Sequence, residues 1–229
     1  MNSIDHTPAN VLRTSGRSTA TANAGNKVLR NTYLLLAMTL AFSALTATLS
    51  MALSLPHPGL IVTLAGYFGL LFLTTRFRDR AAGIGFVFAL TGFMGYTLGP
   101  ILNAYLALPN GPQIVVTAFA ATGALFAGLS GYAFVTRKNL SFMGSFLTVG
   151  ILVAFVAGLG AVFLEIPALS LAVSAMFVLL MSGLILYETS NIIHGGETNY
   201  VMATVTLYVS IFNLFTSLLH LLGFMSRDE

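Results

Sequence analysis

Cysteine and tryptophan are absent from the 229 residues, and charge is scarce: ten Lys and Arg face seven Asp and Glu, 7% of the chain. Without cysteine there is no disulfide and no thiolate metal ligand. The shortage of charge excludes more. A soluble globular domain carries about 25% charged residues, because its hydrated surface has to be built from them. Seventeen ionisable acids and bases cannot coat a 24.2 kDa sphere. With 56% hydrophobic residues and a mean hydropathy of +0.88, most of this chain has lipid as its solvent. Metal and phosphate chemistry also lack signatures. His6, His57, His194 and His220 are distant in sequence without a ligand spacing, and there is no phosphate loop.

What is present is a set of long stretches free of charge: 31–75, 81–136, 139–164, 166–187 and 198–226. About 20 apolar residues cross a hydrocarbon core about 30 Å thick, so the first two stretches hold two helices each and the others one apiece. Seven spans are expected, near 31–54, 59–75, 82–106, 113–136, 141–164, 168–187 and 200–224. Turns are marked by Pro56-His57-Pro58-Gly59 and Pro109-Asn110-Gly111-Pro112. A transmembrane β-barrel requires alternating apolar and polar residues, which segments such as 179–186 do not show. Helices remain as the way to satisfy the backbone in lipid.

Nine Lys and Arg fall in the loops of one side, and Arg227 alone falls on the other if the last helix crosses fully. The positive-inside rule then places the N-terminus in the cytoplasm. The absence of Gly and Pro between Tyr200 and Leu222 favours a full crossing, with the C-terminus outside. Residues 1–26, rich in Ser, Thr, Asn and Ala, read as a flexible cytoplasmic tail, either a solvated extension or a handle for a partner. Residues 27–229 form the membrane domain. The expected fold is all-α, with three hairpins around a seventh helix.

Helix seven carries an independent sign of centrality. Thr206, Ser210, Asn213, Ser217 and His220 recur at helical spacing and share one face. Such a stripe is costly against lipid, so it should face other helices or a water-filled cavity. Interhelical glue and a lined pathway both fit. Small residues at the same spacing, Ala120, Ala124 and Gly128 or Gly92, Gly95 and Gly99, are expected at close helix contacts.

One string has a catalytic look. Gly128-Leu129-Ser130-Gly131 matches the GxSG pattern of rhomboid-type intramembrane serine proteases, which need a histidine within reach of the serine. On the expected topology His220 lies about 30 Å of helix rise from the level of Ser130. His194 is on the correct side, in a loop without an evident orienting carboxylate. No catalytic activity is expected. The notable acid is Glu188, which ends the apolar run of span six and precedes Thr189, Ser190 and Asn191, before Gly195-Gly196 closes the helix. Either it reaches the headgroups, or it is desolvated and able to take up a proton or hold a cation near the helix seven stripe.

The strings KVLRNTY (27–33), GYTLGPILNAY (95–105), TRKNLSF (136–142), YETSNIIHGGETNY (187–200) and LYVSIFNLFTSLL (207–219) closely resemble the Bax inhibitor-1 family. The likeness runs from about Lys27 to the C-terminus and is most specific from Glu188 to Tyr200. It implies a last helix wrapped by the other six, in a bacterial inner-membrane protein. It further implies a chain that restrains FtsH, a membrane-anchored ATP-dependent zinc protease, with that protease's accessory membrane proteins as further candidate partners. Zinc and ATP would belong to that partner; no cofactor and no nucleic acid is implied for this chain. Lys27 and Arg30, in the first string, are the candidates for partner contact. Other members of the family are proposed to be pH-sensitive calcium leak channels gated by two aspartates that share a hydrogen bond. By that resemblance Glu188 stands at the first acid and Ser210 at the second, with Arg76 or Arg78 as their basic partner. A serine cannot share a titrating proton as an acid does, so the dyad is incomplete here. If a pathway exists, Ser210, Asn213, Ser217 and His220 would line it, with Glu188 at its mouth.

Overall fold

The structure is a computed structural model that describes residues 9–226, with side chains from Asn26 onward. The expected tail at 1–26 thus lies almost wholly outside the described side chains. Seven helices follow one another: α1 (Ala9–Ala52), α2 (Leu60–Phe77), α3 (Ala81–Leu106), α4 (Gly111–Thr136), α5 (Met143–Phe163), α6 (Pro167–Ile193) and α7 (Tyr200–Met225). Each contains an apolar segment of 18 to 27 residues, a rise of roughly 27 to 40 Å, which is long enough to cross a membrane. In α1 that segment is Asn26–Ala52.

Helix starts follow the chemistry of orphan N–H groups. Pro112 and Pro167 sit in the first turns of α4 and α6, where the missing N–H costs nothing. Asn199 caps α7, its side-chain oxygen accepting from the amides of Val201 and Met202. The apolar span of helix six was expected to stop at 187 and the helix itself to close at Gly195-Gly196, and α6 runs to Ile193. Glu188, Thr189, Ser190 and Ile192 are all buried there, so the polar end of the helix is covered by neighbours.

Pro100 lies inside α3 without ending it. Proline has no N–H for the carbonyl four residues back, which leaves Tyr96 O without its helical donor. Ser50 of α1 supplies one, its hydroxyl donating to Tyr96 O at 3.0 Å. The approach is possible because residue 99 is glycine; a Cβ there would collide with the Ser50 side chain. Gly92 and Gly95 extend the same seam against Phe42 and against Ser43 and Thr46. This half of the small-residue expectation holds. Ala120, Ala124 and Gly128 of α4 do the opposite: all three are exposed on the outside of the bundle. Their spacing permits a close approach, but no helix of this chain makes it.

α7 is the axis. From Val201 to Gly223 no residue is exposed, and the helix packs against α1, α3, α4 and α6. It is one unbroken helix, so it contains no re-entrant bend. α2 and α5 form an outer layer, α2 packed on α3 and α5 on α6, with Phe68 and Phe155 meeting edge to face at 5.8 Å. Of the expected hairpin pairs, α5 and α6 pack together and α3 and α4 share a shorter contact, whereas α1 and α2 both pack on α3. The outer surface is apolar, with Ile61, Phe72, Phe119, Val135 and Leu179 mostly exposed, as lipid contact requires.

Candidate functional site

The polar groups concentrate at the end of the bundle where α6 stops and α7 begins. Glu188 is 5% exposed, and its Oε1 has no hydrogen-bond partner. Asn191, one turn further along, bonds to the carboxyl group, and Glu197 lies nearby. A second buried oxygen without a partner, Oγ1 of Thr32, belongs to α1, and the carbonyl of Thr32 accepts from Thr204 of α7 at 3.2 Å. Thr189, beside Glu188, bonds the Tyr33 hydroxyl at 3.1 Å and approaches Ser130 Oγ at 3.5 Å.

Three loops are laced together around this acid. Ser190 donates to Lys138 O at 2.7 Å and accepts from the Leu140 amide at 3.2 Å. His194, which caps α6, directs Nδ1 to Ser190 O at 2.8 Å and Nε2 to Arg137 O at 2.9 Å. The Nδ1 contact stays at the end of α6, while the Nε2 contact and the two Ser190 bonds hold the loop between α4 and α5 against it. Asn199 extends the lacing to the turn between α2 and α3, donating to Asp79 Oδ1 at 2.8 Å and Arg78 O at 3.3 Å. The loop between α6 and α7 therefore ties both other loops into one surface. His194 is occupied by carbonyls and Ser130 faces Thr189, so the GxSG serine has no histidine on it.

Two groups of the helix seven stripe bond within their own helix. Ser210 donates to Thr206 O at 2.7 Å, and Asn213 donates to Val209 O at 2.8 Å, both within α7. Ser217 is buried. His220 crosses to α6, its Nδ1 lying 2.8 Å from Ser174 Oγ. Counted along antiparallel helices from that bond, Glu188 and Thr206 are each 14 residues away, so Ser210 is offset from Glu188 by about one turn, roughly 6 Å along the axis. Glu188 and Ser210 are not hydrogen-bonded, since one carboxyl oxygen is unpartnered and Ser210 turns onto its own helix. Arg76 and Arg78 lie exposed at the end of α2, with Arg78 Nε 3.6 Å from Asp79. Lys27 and Arg30 are exposed at the start of the α1 span.

One buried polar knot escaped the sequence. Tyr208 OH bonds Ser43 at 2.6 Å and donates to Thr91 O at 3.2 Å, joining α7 to α1 and α3. A tyrosine inside an apolar run reads as another large hydrophobe.

A central buried helix, an apolar shell and a basic, laced end define a polytopic helical membrane protein organised around α6 and α7. The family described as "Inhibitor of apoptosis-promoting Bax1" matches residues 25–227, and the chain belongs to this Bax inhibitor family. Among its relatives, "Modulator of FtsH protease YccA" of Escherichia coli strain K12 is 56% identical over 203 residues, 89% of this chain and 92% of the relative. An uncharacterized protein of Pseudomonas aeruginosa is 56% identical over 202 residues, 88% and 91% of the two chains. An uncharacterized membrane protein of Vibrio cholerae is 43% identical over 205 residues, 89% and 92%.

Proposed function

We infer that this chain is a non-enzymatic inner-membrane modulator that restrains an FtsH-type protease and so limits the degradation of membrane proteins. The observation that carries the inference is the 56% identity, over nearly all of both chains, to a relative named for modulating that protease. The architecture offers a physical reason why such a modulator resists its own target. Extraction by an ATP-driven protease has to pull helices out of lipid, and here α7 is enclosed by four others while the loops at one end are cross-tied. Lys27 and Arg30, exposed where the α1 span begins, are the residues assigned to partner contact. Residues 1–26 ahead of them act as the handle, and accessory membrane proteins of the protease are further candidates for contact. The basic loops favour a cytoplasmic N-terminus, which puts this end on the side of the ATPase; α7 crosses fully, so the C-terminus is periplasmic.

The reading is tested by co-reconstituting the purified protease, a defined membrane substrate and this chain, with Glu188→Gln as a third arm. Slower substrate loss that survives the substitution supports a direct modulator in which the buried acid is incidental. A second reading, a calcium leak, is favoured by one observation, the buried Glu188 with an unpartnered oxygen. It requires calcium flux into liposomes above that of empty vesicles and abolition of the flux by Glu188→Gln. The bonds of Ser210 and Asn213 to carbonyls of their own helix weigh against it.

A further inference from the structure

Arg76 and Arg78, which the resemblance assigned to an acid pair in the core, stand elsewhere. They line an open groove of about 400 Å³ at the end of α2, together with Phe72, Thr75 and Asp79. We propose that this groove binds the phosphate headgroup of an anionic phospholipid.

Three features fit that ligand. First, the charge is available. Arg78 meets Asp79 through Nε at 3.6 Å, a long contact between side chains that are both at least half exposed, so its guanidinium is accessible to another acceptor. Arg80 is held differently, its guanidinium lying over the Phe77 ring at 5.7 Å, so Arg76 and Arg78 are the pair that faces the groove. A guanidinium presents a planar fork of donors that matches phosphate oxygens. Second, the groove joins a polar end to an apolar wall. Phe72 lies one helical turn before Arg76 and is 68% exposed, in position to meet an acyl chain while the arginines meet the headgroup. Third, the helix that bears the groove is the loosest of the seven. Thr74 is its only buried residue and α3 its principal support, so its flank is open to lipid. Free phosphate would use the arginines alone; the apolar wall selects the lipid.

The test is native mass spectrometry of the full chain in detergent, titrated with phosphatidylglycerol or phosphatidylcholine. Wild-type protein should hold one phosphatidylglycerol in preference to phosphatidylcholine. Arg76→Gln/Arg78→Gln should weaken that binding roughly thirtyfold, the loss expected for two basic residues at an anionic surface. Arg137→Gln/Lys138→Gln removes an equal charge from the neighbouring exposed loop and should leave binding within about twofold, a bound set by the short reach of screened surface charges. Glycerol 3-phosphate at millimolar concentration should not displace the lipid. Equal losses in the two double variants would mean diffuse surface charge and would overturn the proposal. Full displacement by glycerol 3-phosphate would also overturn it, in favour of a site for soluble phosphate. Retention of the bundle by each variant is checked by circular dichroism, and Arg76→Lys/Arg78→Lys, which keeps the charge without the fork, should bind between wild type and the glutamine pair.

Discussion

Ser50→Ala removes one oxygen from a site where nothing else can replace it. Within α3 the carbonyl of Tyr96 would ordinarily accept from residue 100, but Pro100 has no N–H, and Ser50 Oγ fills the position from α1. Ser50 is 1% exposed, so water cannot take over. A buried acceptor stripped of its donor costs about 1–3 kcal/mol, whereas an average interhelical side-chain bond in a membrane is worth about 0.6 kcal/mol. The upper range applies because the backbone alternative is covalently absent. The expected loss is about 1.5 kcal/mol, read as reversible unfolding in mixed micelles titrated with SDS. Thr48→Ala is the control: its hydroxyl donates to Ala44 O, which the helix already satisfies, so the change should be near zero. The sharper test is the cycle with Pro100→Ala. Restoring an N–H at position 100 gives Tyr96 O a donor, so Ser50→Ala should cost much less in that background. A cost equal in both backgrounds would show that Ser50 acts through packing and would refute the argument.

Two further predictions concern the helix seams and the laced loops. At Gly95 an added Cβ meets the backbone carbonyl of Ser43, whereas at Gly128 it meets open space; Gly95→Ala should lower stability by about 1–3 kcal/mol through overpacking, and Gly128→Ala should be neutral or slightly stabilising in the same unfolding assay. Asn199→Ala removes the cap of α7 and the bond to Asp79 together, so it should cost about 1 kcal/mol and speed amide hydrogen exchange both at Val201 and Met202 and in the turn at 78–80; protection unchanged in that turn would mean the loops are not coupled through Asn199.

The number of helices was legible because lipid tolerates so little charge that its absence marks each crossing. The centrality of α7 was legible too, from the stripe of Thr206, Ser210, Asn213, Ser217 and His220. Yet the stripe did not reveal how its groups are satisfied: Ser210 and Asn213 bond inside their own helix, whereas His220 bonds across to α6. Periodicity gives the face of a residue and not its partner. The same limit explains Ala120, Ala124 and Gly128, whose spacing is indistinguishable from that of Gly92, Gly95 and Gly99 until the position of α1 is known. The polar end of helix six was read up to Gly195-Gly196, but its burial was not, because the covering groups, Tyr33, Lys138 O and Leu140 N, come from distant segments. Burial of Glu188 was one of two readings left open by its neighbours, and the structure selects it. Arg76 and Arg78 were referred to the acid pair by resemblance alone, and both lie exposed at the end of α2.

The most direct test of the proposed function is the initial rate at which purified FtsH degrades a defined membrane substrate in proteoliposomes, followed as the amount of this chain is raised. A modulator that binds the protease predicts a saturable fall in rate while this chain itself stays intact. A rate that does not change, or that falls only as this chain is itself consumed, would contradict the account and leave the protein as at most another substrate.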